Sequence, residues 1–451
     1  MEENKQQWSS RLGFILSSAG AAIGLGAIWK FPYVTGMSGG GAFFLIFVAF
    51  TVLIGLPLLI SEFMIGRGAG KEAISAYKKL APKSTSVWIG RLGVIGCFLL
   101  LSFYSVVGGW VLIYSGLSVF GNVIGEGKDY GELFGMIIGT PWITIVGLVI
   151  FSLLNVLVVS IGIQAGIEKA NKYMMPLLFI FFLILVIRAL TLDGAWEGVK
   201  FFLAPDFSNI TGEAVLYALG QSFFSLAVGF SCMVTYSSYL KKDVSIPSSA
   251  STVVGLNIFV SLLAGLAIFP VVFAFGYEPA DGPGLLFMVL PAVFSEIPLG
   301  GLFLALFLVL FLFATLTSSF SLYEIIVAAA TENKKYTRKA STWVIGGIVF
   351  IAAIPSALSS SSLSEFTIFG KSVFDSTDYL VSNILLPVGC LLIALFIVHK
   401  MDEKLVREQF YLSNSLSPSI YKGWRLLMTW VVPVTIVIVL FDLLKPILPW
   451  G

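Results

Sequence analysis

Charge is the scarcest commodity in this chain of 451 residues: 12% are Asp, Glu, Lys or Arg, where a soluble protein carries roughly 25%. The net charge of +2 leaves no basic footprint for nucleic acid. A single histidine, His399, argues against histidine-rich metal sites and most nucleophile–histidine chemistry. The three cysteines, Cys97, Cys232 and Cys390, lie in separate apolar segments, so they read as small core residues without a disulfide framework. No His-Glu-x-x-His occurs, which makes a membrane enzyme the weakest reading. The polar start, Met1 to Arg11, has no cleavable signal pattern.

What fills the chain is hydrocarbon. Hydrophobic residues make up 57% and the mean hydropathy is +0.96. Apolar runs near the length of a bilayer crossing recur throughout. The chain reads as an all-α polytopic membrane protein with eleven spans, at 11–35, 41–70, 87–122, 141–158, 163–190, 213–240, 247–276, 299–331, 339–356, 375–399 and 421–445. Of the 27 basic residues, only Lys30, Lys128, Arg188, Lys200, Lys371 and Lys445 fall on one side of this arrangement. The crowded side is cytoplasmic by the positive-inside rule. An odd span count then puts the N-terminus inside and the C-terminus outside, in a plasma membrane.

The first span is interrupted. Gly20, Gly24 and Gly26, with Pro32 beyond, sit where a stable helix wants Ala or Leu. An unwound turn there bares carbonyl and amide groups that lipid cannot satisfy, so it must line a cavity or be buried in protein. Free carbonyls suit a small cation, and a half-helix N-terminus suits a carboxylate. The competing reading is that Gly20-x-x-x-Gly24 is a helix-packing motif. The sixth span carries a second interruption, Ser225-Leu226-Ala227-Val228-Gly229-Phe230-Ser231. The two breaks stand five spans apart, the spacing of two repeats of opposite topology around a central site. The organisation is then a cytoplasmic segment 1–10, a first repeat 11–190, a structured outer loop 191–212, and a second repeat 213–399 with an outer-loop helix at 284–298. A cytoplasmic loop 400–420 and an eleventh helix with the C-terminus, 421–451, follow.

Several motifs point one way. They are Trp8-Ser9-Ser10-Arg11-Leu12-Gly13, Trp29-Lys30-Phe31-Pro32-Tyr33, Gly39-Gly40-Gly41-Ala42-Phe43 and Gly66-Arg67. Others are Gly166 with Pro176, Gln221-Ser222-Phe223-Phe224-Ser225, Asn257, and Ala314-Thr315-Leu316-Thr317-Ser318-Ser319. The sequence resembles the neurotransmitter:sodium symporter family, with the leucine-transporter fold, over spans one to ten. Its eleven spans and its pocket look most like the bacterial multi-hydrophobic amino-acid transporters, and the short loop between spans three and four is of the bacterial kind.

The resemblance implies sodium-coupled symport by alternating access, with two Na⁺. One would bind carbonyls of Gly20, Ile23 and Ala314 and hydroxyls of Thr317 and Ser318, five neutral oxygens suited to a hard cation. Thr317 and Ser318 could instead bond only their own helix backbone. The second ion would use the Ala22 carbonyl, Ser225, Asn257 and the substrate carboxylate. Here the chain departs from the family: Ala27 and Ala21 stand where asparagines are usual, so this site loses an amide oxygen. Asn257 could equally serve as an interhelical hydrogen bond alone.

The substrate implied is a neutral, apolar L-amino acid. Tyr104 aligns with the carboxylate-binding tyrosine, helped by amides of Leu25 and Gly26. Carbonyls of Ala22, Phe224 and Ser225 would accept from the ammonium. Gly24 stands where monoamine carriers have aspartate, which leaves room for a substrate bringing its own carboxylate. The walls would be Leu100, Phe224, Ala227, Phe230, Ser318 and Leu322. None is ionisable, so a charged substrate side chain would meet an uncompensated desolvation cost. Lys30 and Asp378 align with an outer gate above a Phe230–Tyr104 lid, and Lys5, Trp8, Tyr239 and Glu332 with an inner gate. Such charges at membrane edges can also be merely solvated. Gly166 and Pro176 bracket Ile167 to Met175 as a hinge, the flexible start of span five, unless Pro176 only kinks the helix. Ser261, near Gln221 and Ser225, makes Cl⁻ binding an option, and Glu62 could supply that negative charge instead. The alternatives of different class are the same fold driven by protons or exchange, which would need a titratable group at the ion site, and a channel.

Overall fold

The computed structural model describes residues 6–125, 127–208, 210–277, 282–332 and 336–444. Lys5 of the expected inner gate, and the C-terminal end from 445 on, lie outside the described residues. The protein is an all-α polytopic membrane protein. Nine described helices are long and apolar enough to cross a bilayer, and a tenth crossing is a bent pair. The spans are: 1, Arg11–Ala22 with Gly26–Met37; 2, Gly41–Ala69; 3, Val87–Val119; 4, Pro141–Ile161; 5, Ile163–Leu190; 7, Ile246–Ala274. Then follow 8, Gly300–Thr331; 9, Arg338–Ala357; 10, Val373–His399; and 11, Pro418–Leu443. Span 6 is the interrupted pair Gly212–Leu226 and Cys232–Ser237; counted with the rest it makes eleven.

Proline shapes these helices in a regular way. Wide π turns occupy Gly26–Lys30, Thr51–Gly55, Leu380–Leu385 and Leu427–Val431. Each is followed, two residues on, by a proline: Pro32, Pro57, Pro387 and Pro433. Proline offers no N–H and crowds the carbonyl one turn back, and the widened turn absorbs both defects. A fifth π turn, Ile163–Glu168, opens span 5. The stretch expected to loosen between Gly166 and Pro176 is therefore wound: π to Glu168, then α from Lys169 through Pro176. Asn171 helps to hold it, its side-chain amide bonding the Ile167 carbonyl at 2.8 Å.

Helices in lipid gain little from hydrophobic burial against one another, so they close through small residues. A Cβ at Gly109 of span 3 would lie 2.8 Å from the Gly147 backbone of span 4. Ser115 of span 3 reaches across to the Leu308 carbonyl of span 8 at 3.0 Å. The outer loop is structured: helix Ala195–Leu203 packs on span 7, with Gly198 admitting the Phe269 carbonyl. The outer-loop helix expected at 284–298 is a 3-10 turn, Gly282–Leu286, followed by a short helix, Val289–Ser295. Leu157, Ile187, Val344, Ile351, Val437 and Phe441 point outward from spans 4, 5, 9 and 11, exposed as a lipid-facing surface requires.

Candidate functional site

Both breaks lie at the centre of the bundle. The first helical half of span 1 ends at Ala22, and Ile23 leaves the helical region at φ −87°, ψ 82°. The chain resumes as a π turn at Gly26, bent by 51°. Carbonyls freed at that end need donors, and span 8 supplies one: the Ser318 hydroxyl donates to Gly20 O at 2.8 Å and to Ala21 O at 3.1 Å. The Gln221 amide donates to Gly26 O at 2.6 Å. Leu25 N–H donates to the Tyr104 hydroxyl at 3.4 Å.

The second break covers residues 227–231. Ala227 (φ 51°), Gly229 (φ 100°) and Ser231 (φ 58°) all take left-handed conformations, which only glycine adopts cheaply. Glu62 of span 2 steadies it, its Oε1 accepting from Gly229 N at 2.7 Å. Gly389 lets the Gly229 carbonyl approach so closely that a Cβ there would lie 2.1 Å away.

Between the breaks is a cavity of about 30 Å³, room for roughly one water in its present closure. Ala21, Ala22, Gly24, Leu25, Gly26, Leu100, Tyr104, Phe224, Ala227, Phe230, Cys232, Ser318, Leu322 and Leu386 line it. The structure thus brings together every substrate-site residue expected from sequence except Ser225. Ser225 is buried against span 7, where its hydroxyl donates to Asn257 Oδ1 at 3.3 Å and its carbonyl accepts from Asn257 Nδ2 at 2.8 Å. Asn257 thus ties span 7 to span 6 through both ends of its amide.

The oxygens expected around the first sodium split in two. Ser318 and Gly20 meet directly, and a Cβ on Gly20 would lie 3.0 Å from Thr317 Cβ. The Thr317 hydroxyl, however, donates to Ala314 O of its own helix at 3.1 Å, the ordinary habit of a membrane hydroxyl. Every oxygen in this group is neutral, and among the described residues no three His, Cys, Asp or Glu gather as a metal cluster. Such a donor set fits a hard monovalent ion rather than a transition metal.

A family model described as the Sodium:neurotransmitter symporter family matches residues 5–124 and 138–449. The chain belongs to that family. It is similar to an uncharacterised sodium-dependent transporter, YhdH, of Bacillus subtilis, at 51% identity over 98% of each chain. An uncharacterised sodium-dependent transporter of Haemophilus influenzae is 38% identical, over 97% of this chain and 98% of that one. Among solved structures, MhsT in complex with L-phenylalanine superposes with a TM-score of 0.91 at 39% identity, covering 97% of this chain and all of that one. The protein is thus a membrane transporter with a small-molecule substrate.

In this family member the expected gate residues find partners, some of them not the expected ones. Above the cavity, Lys30 Nζ lies 3.4 Å from Asp378 Oδ1, 3.4 Å from the Ser382 hydroxyl and 5.1 Å from the centre of the Phe224 ring. On the cytoplasmic side Trp8 is buried, its indole N–H donating to Tyr236 O at 2.8 Å and its amide to Tyr239 O at 3.3 Å. Tyr239 and Glu332 take separate partners. The Tyr239 hydroxyl donates to Glu324 at 2.8 Å, and Arg338 closes on the same carboxylate. Glu332 takes Lys71 at 2.5 Å. The reason is reach: Glu324 sits two turns deeper in span 8, level with the tyrosine. Reading the sequence misses Glu324 and Arg338, although a carboxylate inside an apolar span is itself a functional signal. Cys232 and Leu386 of the cavity wall are missed for another reason: only the fold brings them there. The Cys232 thiol lies 3.2 Å from that of Cys97.

Proposed function

We propose that this transporter couples sodium to the import of neutral hydrophobic L-amino acids, aliphatic and aromatic, by alternating access. One observation carries the reading: two broken helices face each other across a cavity that is polar at one end only. That end holds the Leu25 amide, the Tyr104 hydroxyl and the carbonyls beside Ser318. The rest is Leu100, Phe224, Ala227, Phe230 and Leu322, with no Asp, Glu, Lys or Arg in the lining. A zwitterion can bond the polar end while an apolar side chain fills the remainder, and a charged side chain would stay uncompensated. The phenylalanine bound in the MhsT structure supports the same substrate class.

Sodium would sit at Gly20, Ile23, Ala314, Thr317 and Ser318, taking the carbonyl oxygens that the Ser318 O–H now bonds while that hydroxyl turns its lone pairs to the ion. A second ion would draw on Ala22, Ser225 and Asn257, whose mutual bonds would have to open. The spare Ser261 hydroxyl, buried without a partner among the described residues, supports a chloride site. Gln221 gives one of its two side-chain N–H donors to Gly26 O and keeps the other for an anion. Uptake unchanged with gluconate in place of chloride would remove that element. The 5+5 inverted repeat, the cytoplasmic N-terminus, the plasma-membrane location and gating by Lys30–Asp378, with Phe230 and Tyr104 as lid and Trp8 and Tyr239 below, belong to the same proposal.

The test is uptake of labelled leucine or tryptophan into proteoliposomes with and without a sodium gradient. Accumulation should require sodium, and Thr317→Val with Ser318→Ala should abolish the requirement along with the accumulation it drives. A wild-type sodium response in the double variant would remove the ion from this site.

A further inference from the structure

Span 5 presses two polar side chains into glycines of span 1. A Cβ at Gly13 would lie 1.8 Å from Glu168 Oε1, and one at Gly20 would lie 2.3 Å from Asn171 Oδ1. Both polar residues are buried, at 1% and 0% exposure. They stand three residues apart, one helical turn, so both face span 1.

Their oxygens are in different states. The Glu168 carboxylate is fully engaged, by the Ser9 amide at 2.8 Å, by the Ser9 hydroxyl, and by Lys172 at 2.8 Å. Asn171 donates its side-chain N–H to Ile167 O at 2.8 Å, while its Oδ1 has no hydrogen-bond partner among the described residues. The orientation of the amide is fixed chemically, because turning it over would set its oxygen against the Ile167 carbonyl, acceptor to acceptor. An unsatisfied buried acceptor is costly to keep. This one lies against the residue whose carbonyl Ser318 holds, at the edge of the oxygen group assigned above to sodium.

We propose that Asn171 Oδ1 is a way-station for the sodium ion: the oxygen that receives it as it leaves the Gly20–Ser318 site toward the cytoplasm and passes it to Glu168 one turn below. The proposal rests on the sodium reading of that site. A neutral amide oxygen suits transit, since it offers the ion a ligand without a charge that would trap it. Glu168 becomes available to the ion when Ser9 and Lys172 let go, so release waits on the N-terminal segment moving away from span 5. In the state described here that clasp is closed.

The experiment compares the full-length wild type with Asn171→Ala and Asn171→Asp in proteoliposomes, with sodium chloride as the probe and labelled leucine as tracer. Two rates are read: net uptake, which needs sodium to leave inward, and exchange of labelled for unlabelled leucine at equal sodium on both sides. With the amide oxygen gone, net uptake should fall about tenfold while exchange stays within about twofold. In Asn171→Asp, measured at pH 8.5 so that the carboxyl is ionised, half-maximal leucine binding should need about tenfold less sodium, and net uptake should again lag exchange. A merely structural role would lower both rates together and leave the sodium midpoint unmoved, and that result would overturn the proposal. Size-exclusion profiles identify a variant that fails to fold, and the other variant then decides. A wild type indifferent to sodium would sink the symport reading and this step with it. A sodium-responsive wild type with equal net-to-exchange ratios in the variants would sink this step alone.

Discussion

The two broken helices solve one problem with different chemistry. In span 1 the break is short, residues 23–25, and its freed groups are met by neutral side chains: Ser318, Tyr104 and Gln221. In span 6 the break is longer and strained, with three left-handed residues in five, and a buried carboxylate steadies it. Hydroxyls and amides exchange partners readily, so the span 1 break can give its carbonyl oxygens to a cation and its N–H groups to an anion. A carboxylate on a backbone amide is a stronger and less exchangeable tie. The span 6 break is thus the fixed half of the site and the span 1 break the responsive half. Substitutions at the fixed half should destroy the transporter, and those at the responsive half should retune it.

The largest effect falls on Glu62. Glu62→Leu strands Gly229 N–H and leaves the left-handed turn unsupported, a loss of about 1–3 kcal/mol from the amide alone. Uptake should drop about a hundredfold or more, and Glu62→Gln, which keeps an acceptor oxygen, should recover part of it. A leucine variant transporting near the wild-type rate would erase the distinction between the two breaks. Tyr104→Phe acts on the responsive half. On the proposed substrate pose it removes one hydrogen bond to the leucine carboxylate, so the KM for leucine should rise about 10- to 100-fold with the sodium midpoint little changed. An equal loss of protein stability, read by thermal unfolding, would instead place Tyr104 with the fixed supports. Lys30→Met should cost less. The pair with Asp378 is partly exposed, at 21% and 32% for the two side chains. Such pairs contribute roughly 0.2–1 kcal/mol and fade with salt, so uptake should fall a few-fold in low salt and hardly at all in high salt.

The same contrast explains what the sequence could tell. The span 1 break is visible because glycine marks it, and the π turns could have been read from Pro32, Pro57, Pro387 and Pro433. The start of the span 6 break is harder to read, because Ala227 takes a left-handed conformation that its own chemistry disfavours, as does Ser231 at the far end. Residues far off in the chain support the turn: Glu62 and Gly389 at Gly229, and Tyr77 at the Ser231 hydroxyl. Family motifs carried the cavity wall as far as Leu322, but Cys232 and Leu386 enter through the packing of spans 6 and 10 on span 3. The sequence marks the start of span 5 with Gly166 and Pro176, and the fold puts a π turn over 163–168, around Gly166. There Gly166 presses on the Val158 carbonyl of span 4, a contact no local pattern encodes.

The smallest effect belongs to a surface tie that joins the two supports. Lys71 follows span 2, which carries Glu62, and Glu332 follows span 8, which carries Ser318; the pair meets at 2.5 Å. Its hydrogen bond to Glu332, then the carboxylate's charge, raises the Lys71 ammonium above its ordinary value of 10.5. A raised lysine favours the fold while it is protonated. Its contribution is complete below the ordinary value and disappears as pH climbs through the raised one. Nearly half of the Lys71 side chain is exposed, so water and salt screen most of that contribution. Glu332→Gln should therefore leave uptake at pH 7 within about twofold of wild type. The small Tm difference between the two proteins should close only above the ordinary lysine value. A tenfold loss of transport at neutral pH would mean that this surface pair couples the breaks mechanically, and the division into a fixed and a responsive half would have to give way to a single linked unit.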